Sequence, residues 1–349
     1  MERQFLKILL LSILVSCQQV ELNQNNSSEL ISKDEALVVS DLETIQTPPY
    51  QNIWDYIKQN NVSQNKNILN DQVLSYMNMH LRDLDKFNDY LNDSYYFLYF
   101  VINELENSNL PLELAILPYI ESNYDPFSIS SSGAVGMWQF MPRTGRLYQL
   151  NRSWWNEDRH DPFKSTEAAI KYLEYLYQRF DQDIYHTLAA YNAGPSLLDR
   201  RINQNKRRGL QTDFWSLNVP VQTKNYVPKF IALRELIFNS ENYGIQLPDI
   251  PYEPVVKKIS IPGQVEVLTL SEYLDIKPEL LYKLNAGYTK WASAPKDESV
   301  FYIPVEKYSI FKDSDNPFND SNQINWISHI VESGDSLWSI AAKYDTEVS

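Results

Sequence analysis

One carboxyl group stands out for its neighbours. Glu121 closes the apolar run "LELAILPYI" (residues 112–120) and opens the polar stretch "ESNYDP". When helices pack around such a group it loses hydration. Its ionised form is then disfavoured and its pKa rises, which suits a general acid near neutral pH. Capping or pairing within the fold is the other use of a glutamate here, and the apolar run alone does not choose between the two. Asp125, four residues on, precedes Pro126. It reads as a turn former rather than a second catalyst.

Other chemistries lack their residues. The histidines are His80, His160, His186 and His329, and none stands three or four positions from another. The single cysteine, Cys17, rules out an internal disulfide, and no metal site is expected. No glycine-rich loop that could cradle phosphate is present among the 9 glycines, and "YNAGPS" does not form a nucleophile elbow. No cofactor is expected. The net charge of −14 argues against nucleic acid as the main partner. The one basic run, "RRINQNKRR" (200–208), reads as a solvated helix face and loop. The 24 tyrosines and 8 tryptophans favour sugar stacking only weakly.

The elements that would position Glu121 are mostly helical. "VLSYMNMHLRDLDKFNDYL", "YYFLYFVINELENSNLP", "LELAILPYIE" and "AVGMWQFMPRTGRLYQL" each predict a helix from apolar residues at three- and four-residue spacing. "STEAAIKYLEYLYQRF" predicts an amphipathic helix capped by Ser165 or Thr166. "IYHTLAAYNAG" stops at Gly194 and Pro195, and "TKNYVPKFIALRELIFNS" closes the block. Residues 51–245 are therefore expected to form one all-α domain. After Leu247 a proline-rich linker leads into a βααβ pattern over residues 250–310. A second linker, "KDSDNPFNDSNQ", precedes the closing "SHIVESGDSLWSIAAKYDTEVS".

The motifs "ESNYDP", "GAVGMWQFMPRTG", "RHDPFKSTEAAIKYL", "AAYNAG" and "TKNYVPKF" occur in that order. Together they resemble the goose-lysozyme-like lytic transglycosylases of bacterial cell walls (glycoside hydrolase family 23 type), the membrane-bound D group most of all. The resemblance covers roughly residues 50 to 310. It implies a mainly α, lysozyme-like catalytic domain followed by small α+β LysM-like modules. It also implies peptidoglycan glycan strands as the partner and Glu121 as the single catalytic acid/base. Ser130 and Gln139 match positions that contact sugar or shape the cleft floor. Gly133, Ala134 and Gly136 match a backbone that approaches the saccharide. Tyr191 matches the tyrosine that hydrogen-bonds the catalytic glutamate, and Asn192 accompanies it. For Tyr191 a core role, and for Gln139 a surface role, remain open. Trp138, Trp154 and Trp155 could stack on sugar or simply pack.

"VESGDSLWSIAAKY" resembles the first half of a LysM module, so residues 326–349 are expected to be the start of a truncated one. Residues 250–310 resemble a degenerate copy without the "GDSL" turn. The chain opens "MERQFLKILLLSILVSCQQ", a charged start and a short apolar run. This is the pattern of a secretory signal over residues 1–16. Leu14 to Cys17 resembles a bacterial lipobox, which implies acylation of Cys17, a tether over residues 17–50 and a lipid anchor in the membrane. Gln18 after the cysteine implies the periplasmic face of the outer membrane. A hydrolytic muramidase and a non-catalytic wall-binding protein stand as alternatives to the transglycosylase.

Overall fold

The computed structural model describes Tyr50 and residues 52–61, 68–296, 298–312, 318 and 329–348. The expected signal segment, the lipobox Cys17 and the tether before Tyr50 lie outside the described residues.

Asn52, Asn70 and Asp83 start the first three helices by accepting hydrogen bonds from free first-turn amides. These are α1 (Ile53–Asn60), α2 (Asp71–Leu81) and α3 (Leu84–Asn92). The stretch 73–91, expected as one helix, is divided by Asp83, whose side chain accepts from the Lys86 amide and begins α3 afresh. Helix α4 (Leu98–Asn107) follows. The "LELAILPYIE" stretch is not one α-helix. It is a 3₁₀ segment, Leu112–Ile116, running into the single-turn α5 (Leu117–Glu121). Pro118 sits in the first turn of α5, where its missing N–H costs nothing.

The expected helix over "AVGMWQFMPRTGRLYQL" is helical only at α6 (Pro142–Leu147). Residues 128–140 instead form a tight loop, cross-linked by bridges Ile129–Val135 and Val135–Phe140. Gly133, Gly136 and Gln139 all take positive φ there, which an α-helix does not allow. Helix α7 (Pro162–Arg179) begins earlier than expected. Asp161 caps it, and Ser165 and Thr166 lie buried inside. Asp183 caps α8 (Ile184–Ala193), Gly194 ends it at φ 84°, and Pro195 opens α9 (Pro195–Arg207).

Helix α10 (Val221–Phe238) is the centre of the bundle. It buries Tyr226, Val227, Phe230, Ile231, Leu233, Leu236 and Ile237, and it packs on α2 and α8. Helix α7 packs on α4 and α8. The βααβ order holds after that: β1 (Val256–Pro262), α11 (Val267–Tyr273), α12 (Pro278–Leu284) and β2 (Glu298–Pro304). The two strands pair antiparallel, Val256 opposite Pro304 through to Pro262 opposite Glu298. Ile259, Ile261, Phe301 and Ile303 face the two helices as a small core of their own. A short α13 (Tyr308–Phe311) follows, and α14 (Leu337–Lys343) opens with a Ser336–Ser339 capping box. Among the described residues no helix is long and apolar enough to cross a membrane.

Candidate active site

Glu121 stands at the C-terminal end of α5, half-buried, with its backbone turning sharply away. Asn123 and Tyr124, both in the left-handed region, make that turn. The buried Tyr124 anchors it by donating to the Ala115 carbonyl at 2.7 Å. Ser122 donates to the Met137 carbonyl at 2.8 Å, tying the end of α5 to the loop 128–140. The Tyr226 hydroxyl on α10 donates to Oε1 of Glu121 at 2.5 Å. Burial raises the Glu121 pKa most, the Tyr226 bond and the Lys229 charge lower it, and the balance is about 7. None of these three influences is a carboxylate.

Tyr191 is placed differently from the expectation. Its hydroxyl donates to the Trp138 carbonyl at 2.9 Å, not to Glu121. Burial, followed by the Glu121 charge, raises its pKa well above the usual value, so the two side chains are neighbours. The tyrosine bonded to the carboxyl is Tyr226, from the "TKNYVPKF" motif. Three residues before it on the same face, Thr223 donates to Asn192 Oδ1 at 3.0 Å. Residues spaced by three share a helix face, so Thr223, Tyr226 and Lys229 present one row toward α8 and α5. That spacing was the available signal for Tyr226.

Gln139, Tyr191 and Asn192 come together with Phe140 and Tyr172 around a cleft of about 240 Å³. Gln139 donates to the Gly136 carbonyl at 2.9 Å, which shapes the cleft wall. Ser130 does not line this cleft. Its hydroxyl accepts from the Ala134 amide at 2.9 Å and lies 3.0 Å from the Ser132 hydroxyl, so its role here is to hold the turn. Asp125 is exposed, and its Oδ1 accepts from the Phe127 amide at 2.9 Å, as a turn former does.

The glycine roles also shift. A Cβ on Gly136 would meet the Arg159 carbonyl oxygen at 1.8 Å, so its close approach is to the protein itself. Gly133 has open space where a Cβ would sit, and Ala134 is buried. Trp138 is fully buried, and its indole N–H donates to Thr166 at 2.9 Å, a packing role. Trp155 packs with Ala292 and Ala294. Trp154 alone of the three is exposed, with the Lys290 ammonium 3.9 Å from its ring centre.

Among the described residues no cluster of histidine, cysteine, aspartate or glutamate could hold a metal ion. His160 contacts the Pro126 carbonyl at 2.6 Å, and His186 contacts that of Thr212 at 2.9 Å.

A half-buried carboxyl on the end of a one-turn helix, held by the looped "GAVGMWQF" segment, is a specific arrangement. Residues 99–214 match the transglycosylase SLT domain. Residues 329–349 match the LysM domain. Glu121, Ser130, Gln139, Tyr191 and Asn192 all fall inside the SLT match, whereas Thr223 and Tyr226 lie beyond it. The chain is 32% identical over 287 residues to membrane-bound lytic murein transglycosylase D of Escherichia coli (strain K12). That alignment covers 78% of this chain and 63% of the relative's length. Membrane-bound lytic murein transglycosylase F of Alcanivorax borkumensis is 32% identical over 108 residues, 29% of this chain and 22% of that protein. Among solved structures, the lytic transglycosylase Slt of Pseudomonas aeruginosa aligns with a TM-score of 0.37 at 18% identity, covering 56% of this chain and 33% of that one.

Proposed function

We propose that this chain is a lytic transglycosylase. It cleaves the β-1,4 bond between N-acetylmuramic acid and N-acetylglucosamine in peptidoglycan, with Glu121 as the single acid/base. The observation that carries this reading is one carboxyl, kept neutral up to about pH 7 by burial, oriented by Tyr226 beside the cleft of Gln139, Tyr191 and Asn192. The SLT match and the murein transglycosylase relatives support the substrate class.

In the first step protonated Glu121 donates its proton to the glycosidic oxygen as the C1–O bond breaks. The N-acetyl carbonyl oxygen of the muramic residue closes on C1 and holds the positive charge as an oxazolinium-like ion, so no carboxylate nucleophile is required. In the second step the Glu121 carboxylate takes the proton of the C6 hydroxyl. O6 bonds to C1, the N-acetyl oxygen leaves, and a 1,6-anhydro ring forms without water. Tyr226, already donating to Oε1, stabilises the carboxylate between the two steps.

Hydrolysis would call for a second carboxylate to hold water or to stabilise the cation. Asp125, the nearest candidate in sequence, is committed to its turn. A purely wall-binding protein would not need a carboxyl tuned to pH 7. The LysM match at 329–349 supports a second contact with glycan strands. Acylated Cys17 would hold the enzyme at the periplasmic face of the outer membrane. Digestion of purified sacculi followed by mass spectrometry tests the activity: anhydromuropeptides are expected, and reducing-end muramic acid as the main product would mean a hydrolase. Cys17→Ser is expected to abolish membrane attachment, and retention of that variant in washed outer membrane would refute the anchor.

A further inference from the structure

The segment between α6 and α7, residues 152–161, is gripped from two sides. On one side it holds the loop 128–140. The Arg159 guanidinium forks onto the Glu157 carboxylate at 2.9 and 3.0 Å and donates through Nη1 to the Gly133 and Phe140 carbonyls at 3.3 and 3.1 Å. Both partners of this ion pair are buried. Burial raises the Glu157 pKa, but the bonds and charge of Arg159 outweigh it and hold the carboxylate below its ordinary value. The Arg159 carbonyl fills the space over Gly136.

On the other side the segment is paired with the βααβ module. The Glu157 amide donates to the Gly287 carbonyl at 2.9 Å, and the Thr289 amide donates to the Trp155 carbonyl at 2.9 Å. Asn156 thereby faces Tyr288 in an antiparallel bridge. The Thr289 hydroxyl adds a bond to the Trp154 carbonyl at 2.9 Å. Gly287 is pressed so close that a Cβ would lie 2.8 Å from Cβ of Asp161. Tyr302 of β2 stacks on Phe163 with ring centres 3.7 Å apart.

The geometry points to a positioning role for this module: residues 287–289 clamp the segment 154–157, and through Glu157 and Arg159 they fix the loop that carries Gln139 at the cleft and the Met137 carbonyl that holds Ser122. The module is then part of the catalytic unit rather than a tethered sugar-binding domain. Gly287 and Thr289 are positioning residues, since they act through Arg159 and do not touch substrate. A buried ion pair with bonds to two loop carbonyls is costly to leave half-made, so displacing its backbone support frees the loop. The kinetic consequence rests on the activity proposed above; the structural consequence does not.

Amide exchange on the whole chain tests this with Gly287→Val, whose side chain wedges against Asp161. Exchange at residues 128–140 is expected to rise by about 10-fold or more while α10 keeps its protection. On glycan strands the same variant is expected to raise KM while the alkaline limb set by Glu121 stays in place. Should Gly287→Val lose protection everywhere, Thr289→Val decides, because it keeps the side-chain volume and removes only the bond to Trp154. A smaller rise confined to 128–140 and its bounding segment supports the relay. Wild-type exchange at 128–140 in a folded Gly287→Val protein, or in Thr289→Val where that variant decides, overturns it. Failure of the wild type to cleave sacculi would remove the activity reading and leave the exchange result to stand alone.

Discussion

Burial makes Glu121 hold its proton to near neutral pH, so its protonation state and the stability of the fold are linked. The folded-state pKa of about 7 exceeds the ordinary 4.5. Between those values the folded state binds more protons than the unfolded one, so stability falls as pH rises through that window and levels off above it. Glu121→Gln removes the linkage. Its melting temperature is expected to gain on the wild type from pH 4.5 to 7 and to hold that gain at pH 8, by calorimetry at several pH values. A constant difference across that range would contradict the buried, neutral carboxyl. Tyr226→Phe removes a bond that favours the ionised carboxylate. The alkaline limb of kcat/KM is then expected to move to higher pH, and kcat to fall about 10- to 100-fold, the loss typical of a hydrogen bond to a charged group. An unmoved limb would mean that Tyr226 does not act on Glu121. The apolar run ending in a carboxyl made Glu121 a candidate, and the resemblance carried by the five ordered motifs gave it the catalytic role. The same resemblance gave the bonding tyrosine as Tyr191; the hydroxyl that reaches the carboxyl is that of Tyr226, because only the fold decides which hydroxyl meets which acceptor.

At the level of elements, the long helices were legible and the short turns were not. Helices α7, α8 and α10 follow from apolar spacing, with Asp161, Asp183 and Gly194 at the ends of the first two. Residues 134–140 of the loop were misread as helix because Val135, Met137, Trp138 and Phe140 are apolar. They are buried by a tight cross-linked turn, held through Arg159, whose carbonyl partners Gly133 and Phe140 lie 26 and 19 residues away in sequence. Gly136 makes the dependence measurable. Gly136→Ala places a methyl on the Arg159 carbonyl at a positive φ. It is expected to destabilise the protein by at least about 1–3 kcal/mol, the range for strained backbone alone, in denaturant unfolding. A wild-type unfolding midpoint would show that the loop can yield without cost.

Across the whole molecule, the described residues divide by how well they are buried. Helix α10 is enclosed on nearly all faces. Helix α14 buries only Ala341 and leaves Leu337 and Trp338 more than 70% exposed. Few buried contacts mean low local stability. Amides of α14 are expected to exchange fast while those of α10 exchange only by global unfolding, and comparable protection in both would refute this. The βααβ order was legible from composition and alternation. Its docking on residues 154–157 was not, because Gly287 and Thr289 carry no sequence signal for a partner more than a hundred residues earlier.

The central claim is a single glutamate working both steps without water. Its most direct test is mass spectrometry of sacculi digested by the wild type, Glu121→Gln and Asp125→Asn side by side. The wild type and Asp125→Asn are expected to release anhydromuropeptides at similar rates. Glu121→Gln is expected to fold and to lose about 10²–10⁴-fold or more in rate, the range for general acid–base help. Reducing-end muramic acid from the wild type, or an Asp125→Asn protein as inactive as Glu121→Gln, would contradict the account.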